Sequence, residues 1–99
     1  MKTSNTDFLL ALGHVIRTRR KELNMIQLAL ARRADLHRTY LADIERGTRN
    51  VSVKNLLRLA DALGVALSII FAETELRLAN GDNAMAQGRA AGNSLRQRK

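Results

Sequence analysis

The side chains best suited to specific chemistry lie in one short polar stretch, His37-Arg38-Thr39-Tyr40. The planar guanidinium of Arg38 can donate two parallel hydrogen bonds to a pair of acceptors, such as O6 and N7 of guanine. Thr39 can hydrogen-bond to a base or place its methyl group against the methyl of thymine. The sequence shows no nucleophile–base pair, glycine-rich phosphate loop or metal-ligand cluster. We therefore predict a binding protein with no enzymatic activity and no cofactor.

The apolar residues that follow indicate how this stretch is held. Leu41 and Ile44 are three residues apart and would face inward from a short helix over 38–46. Gly47 would end that helix, because glycine adopts positive φ at little cost. The same spacing leaves four residues on the outer face: Arg38, Thr39, Ala42 and Asp43.

Helical periodicity predicts four further helices, and no segment alternates as a strand would. The predicted spans are 6 or 7 to about 23, then 27–34, 53–63 and 67–78. Thr6 or Asp7 would cap the first helix, Asn24 would follow its end in the left-handed conformation, and Ser52 would cap the fourth. The inner face of the fourth helix is predicted to hold Leu56, Leu57, Leu59, Ala60 and Leu63. The predicted fold is an all-α domain of five short helices.

Composition limits the kind of partner that such a domain would bind. The chain has 99 residues, no cysteine and a net charge of +8. Residues 1–79 hold 13 basic and 8 acidic side chains, and residues 80–99 hold 4 and 1. We predict one domain over 1–79, with its core at about 7–78, and a mobile basic tail over 80–99. The basic excess favours nucleic acid first and an anionic membrane surface second. No apolar run is long enough to span a bilayer, and the expected location is the cytoplasm.

The order of the second and third predicted helices is itself a motif. Two short helices joined by a tight turn at Asp35-Leu36 form a helix-turn-helix, whose second helix places its N-terminal residues in the major groove of DNA. The sequence also resembles the lambda-repressor-like, Cro/XRE-type helix-turn-helix proteins. The resemblance extends from Leu12 to Phe71 and is carried by LGHVIRTRRKELNMIQLALARRADL, HRTYLADIERG and LLRLADALGV. Within the family, HRTYLADIERGTRNVS most resembles the restriction–modification controller proteins, small dimeric regulators that bind operator DNA.

The resemblance implies a role for each matching residue. Base contacts are expected from Arg38, Thr39 and Asp43. The Asp43 carboxylate would either accept a hydrogen bond from a cytosine amino group or hold Arg38 or Arg46. Contacts with the DNA backbone are implied for Gln27, Tyr40, Arg46, Thr48, Arg49 and Asn50. Outside the matching positions, backbone contacts are also expected from Lys54 at the start of the fourth helix and from His37, whose side chain could reach a phosphate. Arg20 and Glu45 match a pair that forms an internal salt bridge, which implies a structural role for Glu45.

Two helix starts depart from the family pattern. Ile26 and His37 stand where serine or threonine usually caps the second and third helices. Each missing cap is expected to cost about 1 kcal/mol of stability.

The last predicted helix, 67–78, is apolar on more than one side. Leu67, Ile70, Phe71 and Leu78 are not all expected to fit a core this small. We therefore predict a homodimer interface centred on Ile69, Phe71 and Leu76. Two recognition helices related by a two-fold axis would contact half-sites about 34 Å apart.

Together these features predict a homodimeric, sequence-specific transcriptional regulator that binds a pseudo-palindromic site in double-stranded DNA. Alternatives are an antitoxin whose main partner is a toxin protein, a phage-type repressor and a basic membrane-surface protein. Activator and repressor roles both fit the sequence. An activator would also meet RNA polymerase, for which Asp61, Glu73 and Glu75 are candidate contacts.

Overall fold

Five α-helices form the fold in a computed structural model, which describes the backbone of residues 4–86 and the side chains of residues 4–80. The helices are α1 (Asn5–Glu22), α2 (Gln27–Ala34), α3 (Arg38–Arg46), α4 (Val53–Leu63) and α5 (Leu67–Ala86). No strand occurs within residues 4–86. The prediction of an all-α, five-helix fold is confirmed, and α2, α3 and α4 have the predicted bounds.

Serine side chains begin two of the helices. The hydroxyl of Ser52 accepts a hydrogen bond from the backbone N–H of Asn55 at 3.1 Å, as predicted for α4. The hydroxyl of Ser4 does the same for the N–H of Asp7 at 3.0 Å, so the predicted caps Thr6 and Asp7 were wrong. Asp7 lies instead in the first turn of α1, where the helix dipole favours a negative charge. Ile26 and His37 form no side-chain cap hydrogen bond at the starts of α2 and α3.

Left-handed residues turn the chain between the helices. Asn24 has φ 59° after α1, as predicted, and Asp35 has φ 60° at the end of α2. Gly47 and Gly64 take φ 77° and 75° after α3 and α4. An αL residue directs the backbone sharply away from the helix axis, so α2 and α3 are joined by only three residues. The turn of the predicted helix-turn-helix is therefore present.

Leucine and isoleucine side chains from all five helices fill the core. Those with less than 2% exposure include Leu12, Ile16, Leu30, Leu41, Leu59 and Ile70. Two predictions about the core were wrong. Leu57 is 51% exposed, because it follows Leu56 by 100° around α4 and so leaves the inner face. Ala42 is buried, because α3 packs against both α1 and α2 and therefore buries a wider face than its apolar spacing suggests.

Helix α1 lies close against the backbone of α3 at Gly13. A Cβ atom built on Gly13 would lie 2.3 Å from the carbonyl oxygen of Ile44 and 2.6 Å from that of Glu45. Both neighbours are backbone atoms of α3, which cannot rotate away as a side chain does. Gly13 thus fixes the distance between α1 and α3.

One stripe of α5 closes the core. Ile70 and Leu78 are buried, and Leu67 and Phe71 pack against the core while partly exposed. The prediction that these four could not all face the core was wrong. Thr74, between Phe71 and Leu78 in the sequence, is also buried. Its hydroxyl donates a hydrogen bond to the carbonyl of Ile70 at 2.8 Å, which satisfies this buried polar group.

The helix α5 also extends beyond its predicted end at residue 78, to Ala86. The apolar period stops at Leu78, but residues 79–86 contain no proline and three alanines, so the backbone can remain helical without an apolar face. The predicted tail therefore begins inside α5, and residues 87–99 lie outside the described residues.

An ion pair joins α1 to α5 at the surface. Arg19 donates two hydrogen bonds to the carboxylate of Glu73, at 2.9 and 2.5 Å. These hydrogen bonds lower the pKa of Glu73 from its usual range. The two side chains are 25% and 41% exposed, so solvent screens the pair.

Among the described helices, none alone has the length and apolar character needed to cross a membrane. Within residues 4–86, the pair α4 and α5 taken together reaches that length and composition, and the chain bends by 100° between the two helices.

Candidate nucleic-acid interface

Helix α3 has a buried face and an exposed N-terminal end. Leu41 and Ile44 are 0% and 2% exposed in the core, whereas Arg38 and Thr39, the first two residues of α3, are exposed. The exposed end has the two side chains suited to base edges and the unpaired N–H groups of a helix start.

Gln27, at the start of α2, bridges the exposed and buried faces of α3. Its side-chain N–H donates to Oε1 of Glu45 at 3.0 Å, and its oxygen accepts a long hydrogen bond of 3.5 Å from Arg38. The side chain of Gln27, a predicted phosphate contact, is thus used within the protein. Its backbone N–H lies at the helix start, where an anion can still bind.

The predicted pair of Arg20 and Glu45 is present beneath this bridge. Arg20 Nε and Nη2 donate to the two carboxylate oxygens of Glu45 at 2.7 and 3.0 Å. A third hydrogen bond from Arg20 reaches the carbonyl of Met25 at 2.7 Å. The side chains of Arg20 and Glu45 are only 9% and 3% exposed. This pair ties α1 to α3 and has no access to a substrate, which fits a structural role for Glu45.

The last residue of α3 and the loop after it hold the arginines expected to contact phosphates, Arg46 and Arg49. Arg46 and Arg49 both form ion pairs with the carboxylate of Asp43. The hydroxyl of Thr48 donates to the backbone oxygen of Asp43 at 3.2 Å, and its N–H donates to the same oxygen at 3.0 Å. Asn50, in the same loop, is exposed. Of the two predicted roles for Asp43, the structure displays the one in which it holds Arg46, and it adds Arg49.

Tyr40 connects α3 to α4. Its hydroxyl accepts a hydrogen bond from the side-chain amide of Asn55 at 3.0 Å, and the guanidinium of Arg49 lies 5.0 Å from its ring centre. The ring also packs partly against the core. The hydroxyl proton is left to donate to an acceptor outside the protein, such as a phosphate oxygen.

An open groove of about 490 Å³ adjoins the N-terminal end of α3. Its lining combines cations, hydroxyls and one carboxylate: Asp35, Leu36, His37, Thr39, Tyr40, Arg49, Asn55 and Arg58. Asn55 and Arg58 were not among the predicted site residues. They are three residues apart and so share a face of α4, which is a signal that the sequence contained. Lys54, which was predicted, is exposed at the start of the same helix.

The predicted dimer residues divide between two faces of α5. Ile69 and Leu76 are 43% and 63% exposed, and seven residues place them on one side of the helix. Phe71 instead faces the core, where its ring centre lies 6.3 Å from that of Phe8. The exposed apolar face of α5 therefore contains Ile69 and Leu76 without Phe71.

Taken together, the short left-handed turn, the packed inner face of α3 and its basic outer end define a lambda-repressor-like helix-turn-helix domain. The helix-turn-helix family model matches residues 16–70, which include α2 to α4. The chain belongs to this helix-turn-helix family.

Curated relatives share the sequence of this domain. The chain is 62% identical over 42 residues to control protein C.BamHI of Bacillus amyloliquefaciens, a match that covers 42% of this chain and 52% of that protein. The chain thus spans about half the length of C.BamHI. It is 39% identical over 70 residues to control protein C.MunI of a Mycoplasma species, covering 70% of this chain and 95% of that protein.

A solved structure shows the same fold bound to DNA. The restriction–modification controller protein C.Esp1396I, as a tetramer in complex with its natural 35-base-pair operator, is 32% identical to this chain with a TM-score of 0.68. The similarity covers 73% of this chain and 95% of that one.

Proposed function

We propose that the protein is a homodimeric transcriptional regulator that binds a pseudo-palindromic operator in the cytoplasm, in the manner of a restriction–modification controller. The observation that carries the proposal is the exposed pair Arg38 and Thr39 at the start of a helix whose opposite face is buried. The similarity to C.BamHI, C.MunI and the operator-bound C.Esp1396I supports it.

Binding-site selection from a random duplex pool, at about 150 mM salt, tests this function. The salt concentration has to be fixed because contacts with phosphate alone give strong binding at low salt. An enriched inverted repeat is the expected result. Tight binding without an enriched motif would show that the basic surface binds DNA regardless of sequence, and the proposed base contacts would be wrong.

Arg38 and Arg49 are expected to contribute in different ways to operator binding. Arg38→Ala should weaken operator binding by about 1–3 kcal/mol and relax sequence preference at one base pair per half-site. Arg49→Ala should weaken binding to all duplexes by a similar factor, because phosphates are the same in every sequence. Fluorescence anisotropy with operator and scrambled duplexes measures both effects. Identical behaviour of the two variants would contradict the division into base and backbone contacts.

The exposed face of α5 is the proposed dimer interface. Burying Ile69 and Leu76 against a second copy would remove apolar area from water on both protomers. The double variant Ile69→Ser/Leu76→Ser should therefore raise the dimer dissociation constant at least about tenfold, measured by sedimentation. Leu23→Ser is the matched control, since Leu23 is 48% exposed and lies after α1. A wild-type protein that remains monomeric at tens of micromolar, with and without operator, would rule out the dimer.

A further inference from the structure

Asp43 is a predicted base-contacting residue whose side chain forms ion pairs with two predicted phosphate-contacting residues. Its two carboxylate oxygens are divided between them: Oδ1 pairs with Arg46, and Oδ2 lies 3.4 Å from Nη2 of Arg49. A carboxylate between two guanidinium groups uses N–H donors that could otherwise bind a phosphate oxygen. The free protein thus carries an internal anion within its DNA-binding surface.

From this geometry we infer that Asp43 is a positioning residue that limits phosphate binding, and not a base contact. The inference rests on the proposed function, because it assigns Asp43 a role within the same DNA-binding surface. When DNA binds, phosphate oxygens compete with the carboxylate for the N–H donors of Arg46 and Arg49. The carboxylate thus weakens phosphate binding through the two arginines.

Exposure determines which effect of Asp43 dominates. The side chains of Arg46 and Arg49 are 61% and 51% exposed, so their ion pairs with Asp43 are screened and order the arginines only weakly. The Asp43 side chain is 21% exposed, so it is held in place within the surface. Competition with phosphate for the two arginines should therefore exceed any benefit of holding them in advance.

The loop itself does not depend on this carboxylate. Thr48 makes its two hydrogen bonds with the backbone oxygen of Asp43, and Gly47 N–H bonds to the carbonyl of Ile44 at 3.0 Å. Asp43→Asn preserves the shape of the side chain and these backbone contacts while it removes the charge. The variant should fold as the wild type does, which circular dichroism verifies.

The test compares full-length wild type and Asp43→Asn on a scrambled duplex over a range of salt concentrations. We expect Asp43→Asn to bind about threefold to tenfold more tightly at about 150 mM salt, with a plot of log affinity against log salt steeper by up to about one unit. Glu75→Gln is the control, because it makes the same change in net charge at an exposed position on α5. Equal gains for both variants would mean that net charge alone acts, and would overturn the inference.

Affinity for the selected operator distinguishes the inferred role of Asp43 from a role as a base contact. Since phosphates do not depend on sequence, the ratio of operator to scrambled affinity should stay within about twofold for Asp43→Asn. If operator affinity alone falls, Asp43 is a base contact and the inference is wrong. If no operator emerges for the wild type, the proposed function fails, while the gain on the scrambled duplex still tests the role of Asp43.

A double-mutant cycle tests whether Asp43 acts through the arginines. In the background Arg46→Ala/Arg49→Ala, the gain from Asp43→Asn should shrink to less than half. An undiminished gain would show direct repulsion of DNA without the two arginines, and would overturn the positioning role.

Discussion

Replacing Glu45 by alanine should lower the free energy of unfolding by about 3–5 kcal/mol. The carboxylate of Glu45 accepts two hydrogen bonds from Arg20, and the two side chains are 3% and 9% exposed. Without Glu45, a guanidinium would remain in the interior with its charge uncompensated, and only the carbonyl of Met25 would still accept from it. The expected loss is a large fraction of the 5–15 kcal/mol that stabilises a typical small domain. Urea denaturation followed by circular dichroism measures it.

The chain contains a matched control for this prediction. Arg19, next to Arg20 in α1, makes a similar two-hydrogen-bond pair with Glu73, but those side chains are 25% and 41% exposed. Glu73→Ala should therefore cost no more than about 1 kcal/mol. Similar losses for the two variants would mean that burial does not determine the effect. The double variant Arg20→Met/Glu45→Leu should regain most of the stability lost by Glu45→Ala, because no buried charge remains.

The variant Gly13→Ala should destabilise the protein by about 3 kcal/mol or more, although glycine to alanine within a helix usually stabilises by about 1 kcal/mol. The sign reverses because the new methyl group would lie 2.3 Å from the carbonyl oxygen of Ile44 and 2.9 Å from the carbonyl carbon of Glu45. Relief requires α1 to move away from α3, which also stretches the buried pair of Arg20 and Glu45. Thermal and urea unfolding of the variant measure the loss.

Gly64→Ala is the control for a strained glycine without a close neighbour. Gly64 has φ 75°, but a Cβ atom there would meet no atom within 4 Å. Its substitution should cost about 1–2 kcal/mol, the usual penalty for a left-handed residue with a side chain. A Gly13→Ala variant as stable as the wild type would show that α1 and α3 can separate freely.

The sequence predicted the start of α4 and the ends of α3 and α4 because local chemistry sets them. Ser52 caps α4 through its own hydroxyl, and Gly47 and Gly64 end α3 and α4 in the left-handed conformation. Nothing local stops α5 at Leu78, and its extension to Ala86 was therefore missed. Apolar periodicity indicates which face of a helix is buried, but it does not indicate the residue at which the helix ends.

The missed features of the core and site depend on contacts between helices. The period of α1 gives no sign that Gly13 touches α3, and the burial of Ala42 follows from the two helices that enclose α3. Phe71 was assigned to a dimer interface because its neighbours looked too numerous for the core, which in fact accommodates them around Thr74. Asn55 lines the groove beside Tyr40, and its side-chain amide donates a hydrogen bond to the Tyr40 hydroxyl, fifteen residues earlier in the sequence. Such pairings require the three-dimensional arrangement.

The two faces of α3 also bear on how such a protein can evolve. Leu41 and Ile44 are fixed by the core and Glu45 by its buried partner, whereas Arg38 and Thr39 have exposed side chains. Mutations at the two exposed positions should thus change the recognised site with little loss of stability. A lineage could acquire a new operator in small steps while every intermediate remained folded. Because the buried and exposed residues lie on different faces of one nine-residue helix, the DNA preference can change while the fold is retained.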